Sequence, residues 1–162
     1  AYLSSEEVAR LAAGLSALAL QYDKVVLDLG AGIEANCMRL ARAADKAMMV
    51  ITDDPSSMTD GYAFIKVLRG YAPDVEQGII INQANTRAMG QQTYEAIARA
   101  CKQFLGFRPN LAGIVMRDEK VREAIRSQRT LISTDPSAQP VQDAIAIAQT
   151  LIGSGRSEDL HC

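Results

Sequence analysis

The sequence has no excess of positive charge, no apolar run long enough to cross a bilayer, no paired cysteine motif and a single histidine. Each absence closes a class of function. A formal net charge of -2 over 162 residues leaves no dominant basic face, which excludes a non-specific nucleic-acid binder. Apolar runs such as residues 47–51 and 78–81 are strand-sized, and none is long enough to span a membrane. The N-terminus shows no basic region, apolar block and small-residue cleavage site in succession, so no signal peptide is expected. The three cysteines, Cys37, Cys101 and Cys162, have no C-x-x-C spacing and are odd in number. That suits a reducing cytoplasm, with Cys37 and Cys101 as small packing residues. The lone His161 lies beside Cys162 in a polar stretch that reads as a flexible end rather than a metal pair.

What is present is a 48% hydrophobic chain of one-domain size. Residues 1–152 are expected to form one α/β domain, followed by a polar tail at 153–162. The chain begins at Ala1 directly before a helix, as a piece of a longer protein would. Ser4 with Glu7 three residues on reads as a capping box. Val8, Leu11, Ala12, Leu15, Leu18 and Ala19 then keep helical spacing. Strands are expected at 25–29, 47–52, 78–82 and 111–116. Helices are expected at 36–44, 56–71, 90–105, 119–128 (capped by Asp118) and from a Ser137 cap to 152, while 131–132 is too short to assign.

Strands alternating with helices imply a parallel sheet with helices on both faces. Ligands of such sheets bind at the carboxyl ends of the strands, where this sequence places Asp28, Thr52 to Asp54, Asn82 to Asn85 and Arg117-Asp118. The organising stretch is Lys24-Val25-Val26-Leu27-Asp28-Leu29-Gly30-Ala31-Gly32. An apolar run there delivers a carboxylate to the rim, and two glycines let the backbone turn close to a ligand.

Three readings of that turn compete. Gly30-Ala31-Gly32-Ile33-Glu34-Ala35 satisfies the dinucleotide pattern G-x-G-x-x-A, with Asp53 about twenty residues on as a ribose-binding acid. No Ser-Tyr-Lys set or His outside the tail supplies its chemistry. The same string resembles the first motif of S-adenosylmethionine-dependent methyltransferases, with Glu34 in place of the third glycine and no Asn/Asp-Pro-Pro-aromatic loop downstream.

The third reading covers nearly the whole chain. Residues 22–33 resemble switch II of the MinD/ParA-type P-loop ATPases, in their MinD-like flagellar-number regulator branch (FlhG/FleN). Val50-Ile51-Thr52-Asp53-Asp54-Pro55 through Lys66 resembles the family's next strand and helix start. Ile81-Asn82-Gln83-Ala84 resembles its strand ending in Asn near the adenine. Gly113-Ile114-Val115-Met116-Arg117-Asp118 with Val121 to Arg126 resembles the segment after it.

The resemblance implies a partial P-loop NTPase (SIMIBI-type) fold and a parent protein that uses ATP and Mg²⁺. Asp28 would be its catalytic carboxylate, holding Mg²⁺ through water or placing the attacking water. Gly30 and Gly32 would approach the γ-phosphate as the switch, with Asn82, Arg117 and Asp118 on the nucleotide's base side. Asp60 would lie at a dimer interface, or serve as an acid in a first helical turn. The parent would be a cytoplasmic homo-oligomer working with other flagellar or cell-division regulators.

Two departures qualify the match. No G-x-x-x-x-G-K-[ST] occurs, so the phosphate cradle, its Lys and its Ser/Thr ligand for Mg²⁺ are missing from this sequence. No nucleotide is therefore expected to bind tightly, and no ATP to be hydrolysed. Met116 also stands where many relatives have Pro, and residues 153–162 lack the basic amphipathic character of a MinD membrane anchor. The remaining alternative is a non-catalytic interaction module that works through the helix at 56–69.

Overall fold

Apolar runs at 46–51, 76–84 and 110–116 pair side by side as parallel strands, and the segments between them coil into helices. The computed structural model describes residues 4–153. In chain order these form α1 (Ser5–Ala19), α2 (Ala35–Arg42), β1 (Lys46–Ile51), α3 (Pro55–Tyr71) and β2 (Glu76–Ala84). Then come α4 (Arg87–Leu105), β3 (Asn110–Met116), α5 (Glu119–Arg126), α6 (Leu131–Thr134) and α7 (Gln139–Gly153). Sheet order among the described residues is β1-β2-β3, with Lys46 opposite Glu76 and Ile51 opposite Ile81.

Alternation of side chains along the strands divides the core. Met49 and Ile51 of β1, Ile79 and Ile81 of β2 and Ile114 of β3 share one buried cluster with Ile65 of α3 and Tyr94, Ile97, Ala98 and Cys101 of α4. Each such large side chain contributes roughly 1.5–3 kcal/mol by leaving water. On the other face Gly113 pairs with Ile80 and receives Ile147 of α7. A Cβ at Gly113 would lie 2.4 Å from Ile147 Cγ1, so α7 sits directly on the β3 backbone. Helices thus lie on both faces, as expected, but α7 covers mainly β3. At β1 the second face stays open, and Val50 is 60% exposed.

Local signals set the helix ends. Ser4 Oγ accepts from the Glu7 amide while the Glu7 carboxylate accepts from the Ser4 amide, completing the capping box. Asp54 caps α3 through the amides of Ser56 and Ser57, with Pro55 in the first turn. Asp60 therefore falls in the second turn, exposed, and the first-turn role expected of it is not its own. Helix α4 starts at Arg87 under a Thr86 cap, three residues before the expected Gly90. Gly90 lies within the helix, where a Cβ would come within 2.7 Å of Ile114 Cγ2. Helix α7 begins at Gln139, and the Ser137 hydroxyl hydrogen-bonds Asp135 instead of capping it.

The largest correction is the expected strand at 25–29. Residues 24–30 form no regular element and join no ladder, and of them only Leu29 tucks against the α2–α3 cluster of Met38, Ala41, Leu68, Ala72 and Val75. A strand needs a hydrogen-bonded neighbour as well as a β-forming sequence, and no described residue supplies one. His161, Cys162 and the tail expected at 153–162, apart from Gly153 itself, lie outside the described residues. Within them no helix is long and apolar enough to cross a membrane.

Candidate functional site

Because the strands are parallel, β1, β2 and β3 all present their carboxyl ends at one rim. The ladder between β2 and β3 is irregular from Ile81 to Ala84, which lets Asn82 and Gln83 step out of register. Gln83 adopts φ 56°, and its amide donates to Asn82 Oδ1 at 2.9 Å. The chain then rejoins, with the Arg117 amide donating to the Ala84 carbonyl at 2.9 Å. Asp118 caps α5 through the Lys120 amide at 2.9 Å. Lys120 Nζ in turn donates to Asp135 at 2.7 Å, tying α5 to the end of α6. That contact raises the Lys120 pKa and lowers that of Asp135.

These turns frame a cleft of about 560 Å³ between the strand ends and α5, α6 and α7. Its polar edge is Asn82, Gln83, Arg117 and Asp118, and its walls include Met116, Val121, Val141 and Ala144. Carboxamides offer both donors and acceptors, and the walls are apolar, so the cleft suits a flat heteroaromatic ring with polar edges. Three sequence-derived candidates, Asn82, Arg117 and Asp118, are brought together here.

Behind the cleft sits a carboxylate that the sequence reading passed over. Asp143 of α7 is buried and accepts from the Met116 amide at 2.8 Å and from Gln139 Nε2 at 2.8 Å. Arg87 pairs with the same carboxylate and also donates to the Ile114 carbonyl. Burial pushes the Asp143 pKa up, but the hydrogen bonds from Met116, Gln139 and Arg87 outweigh it and hold it low. The available signal was an acid on the otherwise apolar stripe of Val141, Ala144, Ile145 and Ile147. Gln83 carried no comparable signal, since its positive φ comes from the bulge.

The other candidates lie apart. Asp28 and Gly30 are exposed on the irregular run at 24–30, and Gly32 follows at φ 136°. None of the three lines the cleft. Asp53, two residues beyond β1, lies beside a smaller hollow of about 190 Å³ and accepts from Thr93 Oγ1 at 3.1 Å. Asp60 is on the outside of α3. Asn82, Arg117 and Asp118 therefore share one cleft, whereas Asp28 stands apart from it as a single exposed carboxylate. No cluster of three or more His, Cys, Asp or Glu suited to an ion occurs among the described residues. Of the two cysteines among the described residues, neither is held as a thiolate. Burial pushes Cys101 up to about 11 and raises Cys37 as well.

No protein-family model matches the chain. It is 28% identical over 148 residues to the antiactivator FleN of Pseudomonas aeruginosa, covering 91% of this chain and 53% of that protein. It is 27% identical over 159 residues to the flagellum site-determining protein YlxH of Helicobacter pylori, covering 92% of this chain and 53% of that protein. The chain thus spans about half the length of the curated relatives it matches. Among solved structures it superposes on the MinD cell division protein of Aquifex aeolicus with TM-score 0.73 and 21% identity, over 96% of this chain and 64% of that one. The septum site-determining protein MinD of Pyrococcus horikoshii, complexed with Mg-ADP, gives TM-score 0.68 and 17% identity over 93% of this chain and 60% of that one.

Proposed function

We propose that the chain, which has the fold of MinD/ParA-type P-loop ATPases and resembles flagellar-number regulators, is the switch and base-side half of such an ATPase. The parent would be an ATP-dependent dimerising regulator of flagellar number or placement. The observation that carries this is the rim cleft, where the bulge at Asn82 and Gln83 meets Arg117 and Asp118 over apolar walls. In this reading Asn82, Arg117 and Asp118 hold the adenine side. Asp28, Gly30 and Gly32 belong to the phosphate side, with Mg²⁺ reached through water, and Asp60 faces the dimer partner. One relative is named an antiactivator, so in this reading the parent would oppose an activator.

The phosphate half is where this chain falls short. With no G-x-x-x-x-G-K-[ST] in the sequence, neither a triphosphate nor Mg²⁺ has its usual cradle. The test is an amide-shift titration of the 162-residue chain with adenosine, NAD and S-adenosylmethionine, alongside calorimetry with Mg-ATP. Weak adenosine binding that moves Asn82, Arg117 and Asp118, with no micromolar Mg-ATP binding, is the expected result. Tight S-adenosylmethionine or NAD binding at Gly30 to Gly32 would sink the assignment. Clear ATP hydrolysis lost in Asp28→Ala would overturn the account of the missing loop.

A further inference from the structure

The corner that carries Arg117 and Asp118 is held from two sides. The Arg117 amide donates to the Ala84 carbonyl of β2, while the Met116 amide, one residue earlier, donates to Asp143 Oδ2 at 2.8 Å. Consecutive amides are thus tied to different elements, one to the sheet and one to α7. Because β2 bulges between Ile81 and Ala84, the ladder reaches this corner only through Ala84. For the Met116 amide, a side-chain carboxylate takes the part of a strand carbonyl.

That carboxylate is itself fixed. Its Oδ1 accepts from Gln139 Nε2 in the first turn of α7 and from Arg87 at the start of α4. Arg87 also donates to the Ile114 carbonyl, so one guanidinium spans the carboxylate and β3. Charge-assisted bonds of this kind are roughly twice as strong as neutral ones. Neither Asp143 nor Arg87 lines the cleft, yet every bond they make leads to an element that does or to its neighbour.

We propose that Asp143, oriented by Arg87, is the positioning residue of the rim cleft: through the Met116 amide it sets where Arg117 and Asp118 stand toward a bound ring. Polar groups at a binding site have to be held to within about 0.5 Å, which takes a supporting shell of this sort. Asn82 and Gln83 approach from β2 and owe their place to the bulge instead. The two halves of the cleft's polar edge therefore have separate supports, and disturbing one leaves the other standing. Only the choice of adenosine as the ligand rests on the nucleotide reading.

The test compares the full 162-residue chain with Asp143→Ala, Asp143→Asn and Arg87→Met. The last two keep an acceptor for the Met116 amide, and the first does not. In the free chain, backbone order parameters at Arg117 and Asp118 should fall most in Asp143→Ala and less in the other two, with Asn82 unchanged throughout. In an adenosine titration Asp143→Ala should bind about threefold to tenfold more weakly, its Asn82 amide still moving while those of Arg117 and Asp118 respond little. Arg87→Met should show the same pattern more weakly. Unchanged order at Arg117 and Asp118 in Asp143→Ala, a loss shared equally by Asn82, or equal losses in all three variants would overturn the proposal. So would adenosine affinity that Asp143→Ala leaves as it was. If Asp143→Ala does not fold, wild-type order at the corner in both other variants overturns it. A wild-type chain that ignores adenosine sinks the nucleotide reading alone, and the order parameters then decide the positioning.

Discussion

Arg87, the first residue of α4, and Asp143, in the second turn of α7, are ion-paired across the carboxyl end of β3. Arg87 stays 53% exposed at its side chain while Asp143 is 3% exposed. The buried carboxylate is the fixed point of the pair. Through the Met116 amide it holds the last residue before Arg117 and Asp118, so the cleft's edge is set by a residue that does not line it.

Replacing Asp143 by Ala should cost about 2–3 kcal/mol, because charge-assisted bonds are lost and the Met116 amide is left without its acceptor. Urea unfolding measures the loss. Hydrogen exchange should quicken at Met116 well before it does at Ile79 or Ile81.

Acid should destabilise the protein, and Asp143 should account for part of the slope. Its folded pKa is held low, so below about pH 4 the unfolded chain takes up the proton more readily than the folded one. The stabilisation is present in full above that value and is lost as pH falls through the folded pKa. Asp54 and Asp135 shift in the same direction, held down chiefly by hydrogen bonds from Ser56 and from Lys120 respectively. In a series of urea midpoints against pH, Asp143→Asn should flatten the acid limb, whereas a surface variant such as Glu6→Gln should not.

Gly113→Ala should destabilise the chain by about 1–3 kcal/mol, since its new methyl group would meet Ile147 at 2.4 Å. Ile147→Val should recover part of that loss when combined with it. A double-mutant cycle reads the coupling.

Cys101 should resist alkylation at pH 8 until the protein unfolds. It is buried in the core and its thiol is pushed up to about 11, so little thiolate forms. Site-resolved mass spectrometry after iodoacetamide pulses checks this, with Cys101 labelled only as fast as the chain opens globally.

Local chemistry made much of this fold legible. The Ser4–Glu7 box fixes the start of α1 because both of its hydrogen bonds are made within one turn. The run that became β2 was readable because β-branched residues buried on both sides have few other uses, while β1 and β3 showed as strand-length apolar runs. The grouping of Asn82 with Arg117 and Asp118 followed from parallel order, which sends strand ends to one rim. The 25–29 run shows the limit of this reasoning. Its sequence is as strand-like as that of β1, yet a ladder is made with a neighbour, and residue pattern does not reveal whether that neighbour is there.

By itself, then, the sequence determined which segments coil, which extend and which polar residues reach the sheet's rim, since propensity, capping and periodicity act over a few residues. Only the tertiary structure decided that Gln83 turns outward at a bulge. It also decided that Asp143 grips the Met116 amide from 27 positions away, and that residues 24–29 remain unpaired. Those outcomes depend on which distant backbone groups come within hydrogen-bonding reach, and contacts of that range form only when the whole chain packs.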